Sequence, residues 1–307
     1  MNAAQLRARL ARRLARARLH YGHGARTARD EAGWLVASVR KPEVAEALAQ
    51  RRIRERIPLA YLLNEAWLAG RRFYVDERAI VPRSLVAELL PEGLRPWLQR
   101  VPKRALDLCT GSGCLAVLLA HSFKGLKIDA ADISPEALEV ARVNVRRHRL
   151  RRRVRLVRSD LFRALGRRRY DLIVCNPPYV TTRAMRRLPR EYRHEPALAL
   201  AGGRLGIDFV AKVIRGAARH LAPGGLLVCE IGGNRRALER ALPRLAFVWP
   251  EISDPGSVFI LEHAALSRAA RTVAAPRTPP RRGRAQRSAR ARAPRAARAR
   301  PIRSALS

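Results

Sequence analysis

The residues of this sequence best suited to chemistry are Asn176-Pro177-Pro178-Tyr179. Neither proline carries an N–H, and each ring fixes φ at about −65°, so the carbonyls point in set directions with no competing donor. The Asn176 side chain adds a carboxamide oxygen, and Tyr179 adds a flat aromatic face. Together they suit a planar –NH2 group: an acceptor for each hydrogen and a ring to stack on. Taken alone, the tetrapeptide also reads as a proline-rich turn. The apolar run before it, Asp171-Leu172-Ile173-Val174-Cys175, reads as a short buried strand. Ligands of open α/β sheets bind outside such carboxyl ends.

Three more polar signals fall at predicted strand ends. Ala105-Leu106-Asp107-Leu108-Cys109-Thr110-Gly111-Ser112-Gly113-Cys114 reads as a strand, a glycine turn and a helix start. Gly111 and Gly113 remove side chains where a ligand must approach the backbone. This turn is shared by NAD, FAD and S-adenosylmethionine folds, and Ala116 at the third fingerprint position does not exclude NAD. The second strand ends at Ala131-Asp132, an acid placed to accept from both ribose hydroxyls, or else a plain helix N-terminal acid before Pro135. The third ends at Ser159-Asp160, which could reach an adenine amino group or cap the following helix.

Positioning these residues calls for alternating strands and helices from residue 104 onward. Strands are predicted at 105–109, 126–131, 154–158, 171–175, 225–231, 244–249 and 257–262. Helices are predicted at 113–121, 135–149, 207–221 and 234–242. Such alternation implies a mostly parallel, doubly wound sheet, the last two strands pairing antiparallel because no crossover helix fits between them. Residues 3–19 and 29–55 carry helical periodicity, with Trp34, Leu35, Val36 and Val39 as core contacts. Leu59–Leu68 and Arg72–Val81 around Ala69-Gly70-Arg71 read as a β-hairpin linker, after which Pro82-Arg83-Ser84 opens a helix.

At 307 residues the chain has room for two domains, and its net charge of +38 attracts polyanions such as RNA, unless the arginines reflect compositional bias. Leu266–Ser307 carries thirteen Arg and no acid, and is too poor in apolar residues to fold alone, so it reads as a disordered basic tail. Cys109, Cys114, Cys175 and Cys229 show no ligand spacing and read as reduced thiols of a cytoplasmic protein, with no metal site. No apolar run reaches the roughly 18 residues of a membrane span. The first 29 residues hold eight Arg and no acid, as a transit peptide would, yet Leu6, Leu10 and Leu14 recur at helical spacing.

Taken as one ordered set, these signals resemble the class I S-adenosylmethionine-dependent methyltransferases, and the Asn-Pro-Pro-Tyr motif resembles that of their amino-methylating members. Phe73-Tyr74-Val75-Asp76, Val81-Pro82-Arg83 and Glu195-Pro196 are similar to the protein glutamine methyltransferases. Tyr21-Gly22-His23-Gly24, Asn64-Glu65-Ala66-Trp67, Asp107 to Cys114 and Glu191-Tyr192-Arg193-His194-Glu195-Pro196 look like the branch acting on the third large-subunit ribosomal protein.

The resemblance covers about residues 20–263 and implies a seven-stranded Rossmann-like sheet at 85–265. A helical substrate-recognition domain at 1–60, a hairpin linker at 61–84 and a basic tail at 266–307 would complete the chain. It also implies S-adenosylmethionine as cofactor, with Asp107, Cys109, Thr110, Gly111, Ser112 and Gly113 around its methionine part. Asp132 would hold the ribose, and Asp160 or Leu161 would border the adenine. Asn176, which would also touch the cofactor, and the Pro177 carbonyl would accept the amide hydrogens, with Pro178 and Tyr179 completing the catalytic tetrapeptide. Arg83 would meet substrate peptide, and Glu195 would bind substrate or fix a loop over the tetrapeptide; the tail has no counterpart in the family pattern.

The competing functions are methylation of the Gly-Gly-Gln loop of release factors, methylation of a DNA or RNA amino group, and RNA binding by a vestigial fold. Base extraction wants stacking platforms, and an aromatic content of 5% supplies few.

Overall fold

The computed structural model describes residues 2–90 and 92–274, the side chains of 269–274 excepted. Helix α1 (Ala3–Arg16) opens on a capping box between Asn2 and Gln5, and Leu6, Leu10 and Leu14 form its buried face. Thr27 caps α2 (Ala28–Ser38), and proline starts α3 (Pro42–Glu55). With α4 (Leu59–Leu63) these helices enclose one core, in which the leucine stripe packs against Leu35, Ala45, Ala49 and Leu59. Trp34, Val36 and Val39 border that core and are only half-buried. The expected hairpin linker is shorter than its sequence range. Its first part is α4, and only β1 (Ala66–Leu68) and β2 (Arg71–Phe73) pair.

The main sheet contains β3 (Arg104–Leu108), β4 (Lys127–Asp132), β5 (Val154–Arg158), β6 (Tyr170–Cys175), β7 (Leu221–Glu230) and β8 (Val258–Glu262). The order is β5-β4-β3-β6-β7-β8, with all neighbours parallel except β7 and β8. Helices α5 (Cys114–Ser122), α6 (Pro135–Arg147), α7 (Thr182–Met185), α8 (Ala197–Leu200), α9 (Asp208–His220) and α10 (Arg235–Ala241) connect the strands. Successive strand residues feed two cores: Leu172 and Val174 join one, Ile173 and Cys175 the other. Strand order reverses between β3 and β6, so a crevice opens at their carboxyl ends.

Two expectations are corrected. Among the described residues the sheet has six strands, because 244–249 contributes only Val248, bridged antiparallel to Ile260. Leu245 and Phe247 place their N–H groups in local turns, and Pro250 has none to offer, so the ladder cannot extend either way. The second correction concerns the boundary at 265. Helix α11 (His263–Ala274) runs past it, and Leu266 packs into the core. The rest of the expected tail, 275–307, lies outside the described residues. Among the described residues no helix is long and apolar enough to cross a membrane.

Candidate active site

The carboxyl edge of the sheet bears a cleft of about 1160 Å³, including the part open to solvent. The turn after β3 forms one wall. Gly111 has φ +54°, and a Cβ there would meet nothing within 4 Å, so any side chain would project into free space. Gly113 has φ +77° and packs against Ala141 of α6, where a Cβ would stand 3.0 Å from the alanine methyl. Cys109 and Leu161, which also line the cleft, hold positive φ without being glycine. Such backbone strain costs about 1–3 kcal/mol and tends to collect at ligand sites.

Two carboxylates brace this turn. Asp132, at the end of β4, accepts from the Gly111 N–H (2.8 Å) and the Ser134 N–H (3.0 Å). Each oxygen keeps a lone pair for a further donor. Burial raises its carboxyl, against the pull of the Ser134 and Gly111 amides. Asp107 is fully buried. Its Oδ2 accepts from the Ala116 N–H (2.8 Å) and the Thr110 hydroxyl (2.5 Å), while Oδ1 has no partner among the described residues. Burial pushes this carboxyl up to about 7, opposed by those two hydrogen bonds and helped by the Asp132 charge.

A nucleoside joined to an amino acid fits this wall. The glycine turn is bare, Asp132 can take hydroxyl donors, and Asp107 has one buried oxygen wanting a donor. Ile133 adds an apolar surface, 45% exposed, on which a base could lie.

The tetrapeptide forms the facing wall, at the end of β6. Asn176 and Pro178 line the cleft, and Pro177 and Tyr179 adjoin them in the chain without lining it. Neither the Asn176 carboxamide nor the Pro177 carbonyl has a hydrogen-bond partner among the described residues. The Tyr179 ring packs against Gly232, where a Cβ would stand 2.8 Å from it. Its hydroxyl donates to Glu230 Oε1 (2.8 Å), and Glu230 Oε2 accepts from the Ser84 hydroxyl (2.7 Å) and Leu85 N–H (2.9 Å). One buried carboxylate thus ties the tetrapeptide to the segment that follows Arg83. Tyr179→Phe strands Glu230 Oε1 and is expected to lower stability by about 1–3 kcal/mol in urea unfolding. An unchanged unfolding midpoint would show that this bond contributes nothing.

A second buried carboxylate closes the outer side. Glu195 is 4% exposed and accepts from the Val81 N–H (3.0 Å) and from both terminal nitrogens of Arg83, at 2.5 and 2.7 Å. His23 Nε2 lies 3.7 Å away, and Arg83 stacks over the Tyr192 ring at 5.4 Å. Burial alone would raise the Glu195 carboxyl, but His23 and the Arg83 guanidinium outweigh it and hold it at about 2. A depressed carboxyl contributes stability that is fully present above its unfolded value of about 4.3 and is lost as pH falls toward the folded value. Wild-type stability should therefore fall between pH 5 and 2, with Glu195→Gln showing a shallower fall in urea midpoints. Parallel curves would remove Glu195 as the cause.

The sequence-predicted residues Asp132, Asp160, Leu161, Asn176, Pro178, Arg83 and Cys109 to Ser112 line one cleft. Asp160 is half-exposed and pairs with Arg163 at 3.1 Å. Gly113 and Asp107 stand behind the wall as supports, and Glu195 reaches the cleft only through Arg83. Sequence reasoning missed Glu230, Ile133 and Phe209. A signal for Glu230 existed, since it is an acid ending a buried apolar run at the same sheet edge.

A doubly wound sheet with a glycine turn, a ribose-type acid and an Asn-Pro-Pro-Tyr wall defines a class I methyltransferase that uses S-adenosylmethionine. Residues 87–191 match the family model of the methyltransferase small domain. The chain is 48% identical to the ribosomal protein uL3 glutamine methyltransferase of Bordetella pertussis, over 81% of this chain and 90% of that one. It is 47% identical to the protein of the same name from Neisseria meningitidis serogroup B, over 79% and 87%. For the Burkholderia pseudomallei protein of that name the identity is 43%, over 83% and 92%. The chain belongs to the family of ribosomal protein uL3 glutamine methyltransferases.

Proposed function

We propose that this enzyme methylates the side-chain amide nitrogen of a glutamine in ribosomal protein uL3. The observation that carries this reading is the pair of unpartnered acceptors, Asn176 carboxamide and Pro177 carbonyl, beside the cleft that Gly111 and Asp132 line. An amide nitrogen is a weak nucleophile because its lone pair is delocalised into the carbonyl. Two acceptors on its hydrogens raise electron density on nitrogen and fix its direction.

S-adenosylmethionine supplies the electrophilic methyl group. Asp132 would hold its ribose, the turn from Cys109 to Gly113 its methionine part, and Leu161 with Asp160 the rim of its adenine. Asn176 and Pro177 then work by orientation, a contribution worth up to about 7 kcal/mol or more in well-aligned reactions. Once methylated, the nitrogen is acidic enough to release its proton to water, so no side chain has to act as a base. Glu195 serves here as a positioning residue, holding Arg83 at the cleft.

A ribosomal protein substrate is consistent with a reaction in the cytoplasm. The arginines of 266–307 would add sequence-independent attraction to RNA. Incubating the purified enzyme with radiolabelled S-adenosylmethionine and unassembled uL3 should label one glutamine. Label that survives protease but not nuclease would overturn the proposal.

A further inference from the structure

At the opposite edge of the sheet lies a second cleft, of about 710 Å³ including the part open to solvent, lined by Arg104, Lys127, Arg151, Arg152, Arg155 and Arg168. Its place in the fold follows from the strands. Arg104 opens β3, Lys127 opens β4, Arg168 precedes β6, and residues 151–153 form the turn into β5. The cations therefore gather at the amino ends, while the catalytic cleft occupies the carboxyl ends.

The charges are not balanced locally. Among the described residues Asp129 is the one carboxylate lining the cleft, and it is already engaged by the Tyr170 hydroxyl (2.8 Å), Arg155 (2.7 Å) and Arg168 (4.0 Å). Arg153 is also committed, donating to the carbonyls of Ala120, in the last turn of α5, and of Phe123 and Leu126 just beyond it. Lys127 Nζ donates to the Arg152 carbonyl at 3.0 Å. The guanidinium groups of Arg104, Arg151 and Arg152 have no carboxylate partner among the described residues, and all three side chains are exposed. Crowding like charges in a concave site is unfavourable until a polyanion enters, and the concavity focuses the field.

We propose that this amino-edge cleft binds the phosphate backbone of RNA, so that the enzyme holds nucleic acid on the face opposite its active site. A phosphodiester with its sugar fits a concave space of this size, whereas a membrane presents a flat surface. The exposed large apolar side chains, Trp67, Val101, Ile133, Leu198 and Leu205 among them, do not line it, so nothing there would enter a lipid layer. Guanidinium forks suit phosphate oxygens.

The test uses the full chain and a labelled 20-nucleotide single-stranded RNA of mixed sequence, followed by fluorescence anisotropy across a salt series. Arg104→Ala/Arg151→Ala/Arg152→Ala is compared with a charge-matched control, Arg12→Ala/Arg16→Ala/Arg26→Ala, on the helical region. The first variant should bind at least tenfold more weakly, and its slope of log affinity against log salt should fall by about 2, as three lost phosphate contacts require. The control should change less than twofold in RNA affinity, and methyl transfer to free uL3 by the cleft variant should equal that of the wild type. Equal losses in both variants would mean that the charge acts diffusely and would overturn the proposal. So would a variant that loses binding to phosphatidylserine vesicles but keeps its affinity for RNA.

Discussion

Asn176→Ala lowers turnover by roughly 10²–10³-fold, the usual effect of deleting one oriented polar contact to a reacting group. The expectation rests on the carboxamide having no partner among the described residues: no bond to them is lost with it, so the fold should stand. Without it, one hydrogen of the substrate amide has no acceptor, and the nitrogen can rotate away from the line of attack. The affinity for S-adenosylmethionine should stay within about threefold, because Asp132 and the glycine turn form a separate wall. Single-turnover rates and isothermal titration measure the two quantities independently. Turnover within threefold of wild type would remove Asn176 from the mechanism.

Arg52→Met should destabilise the protein by about 3–5 kcal/mol, the range for removing one partner of a buried ion pair. Arg52 is 1% exposed. Its Nε donates to Glu31 (3.0 Å), its Nη2 to the His20 carbonyl (2.9 Å), and Nη1 lies 3.5 Å from Glu191. Methionine fills similar space and leaves the buried Glu31 without its cation. Burial already raises the Glu31 carboxyl despite Arg52. In the variant that carboxyl should protonate more readily still, so the loss shrinks between pH 7 and pH 5. Urea unfolding at both pH values reads the effect, and a loss under 1 kcal/mol at pH 7 would show the pair to be dispensable.

Much of the catalytic half was legible because its chemistry sits at the ends of apolar runs. Asp132 ends its strand, Asp107 stands one residue before the end of its own and Asn176 directly follows its own, and burial of each strand dictates the edge they occupy. The first three helices of the N-terminal part were legible, as Leu6, Leu10 and Leu14 show for α1, while α4 fell in a range read as hairpin. Contacts between distant segments were not legible. Arg83 and Glu195 are 112 positions apart, and Ser84 and Glu230 are 146 apart, so no local pattern joins them. Each member reads singly as a solvated charge or an ordinary cap. The stretch at 244–249 misled for a different reason. Its apolar content is real and serves ring packing, Phe247 lying 5.1 Å from Phe259, while turns and Pro250 deny it a ladder.

The strip from Glu191 to Glu195 has a consequence for how substrate choice can change. Glu191 accepts from the His20 N–H and Arg56, His194 bonds the Glu55 carbonyl, and Glu195 holds Arg83 with His23 beside it. These partners all belong to residues 20–83, whereas the strip itself lies far along the chain, between the tetrapeptide and α9. The helical region is therefore not a detachable module. A graft of residues 1–85 onto a sister enzyme would leave mismatched charges sealed in the joint unless residues 190–196 travelled with it. Exchange of specificity in this architecture is a two-piece transplant, and drift in either piece is constrained by the other.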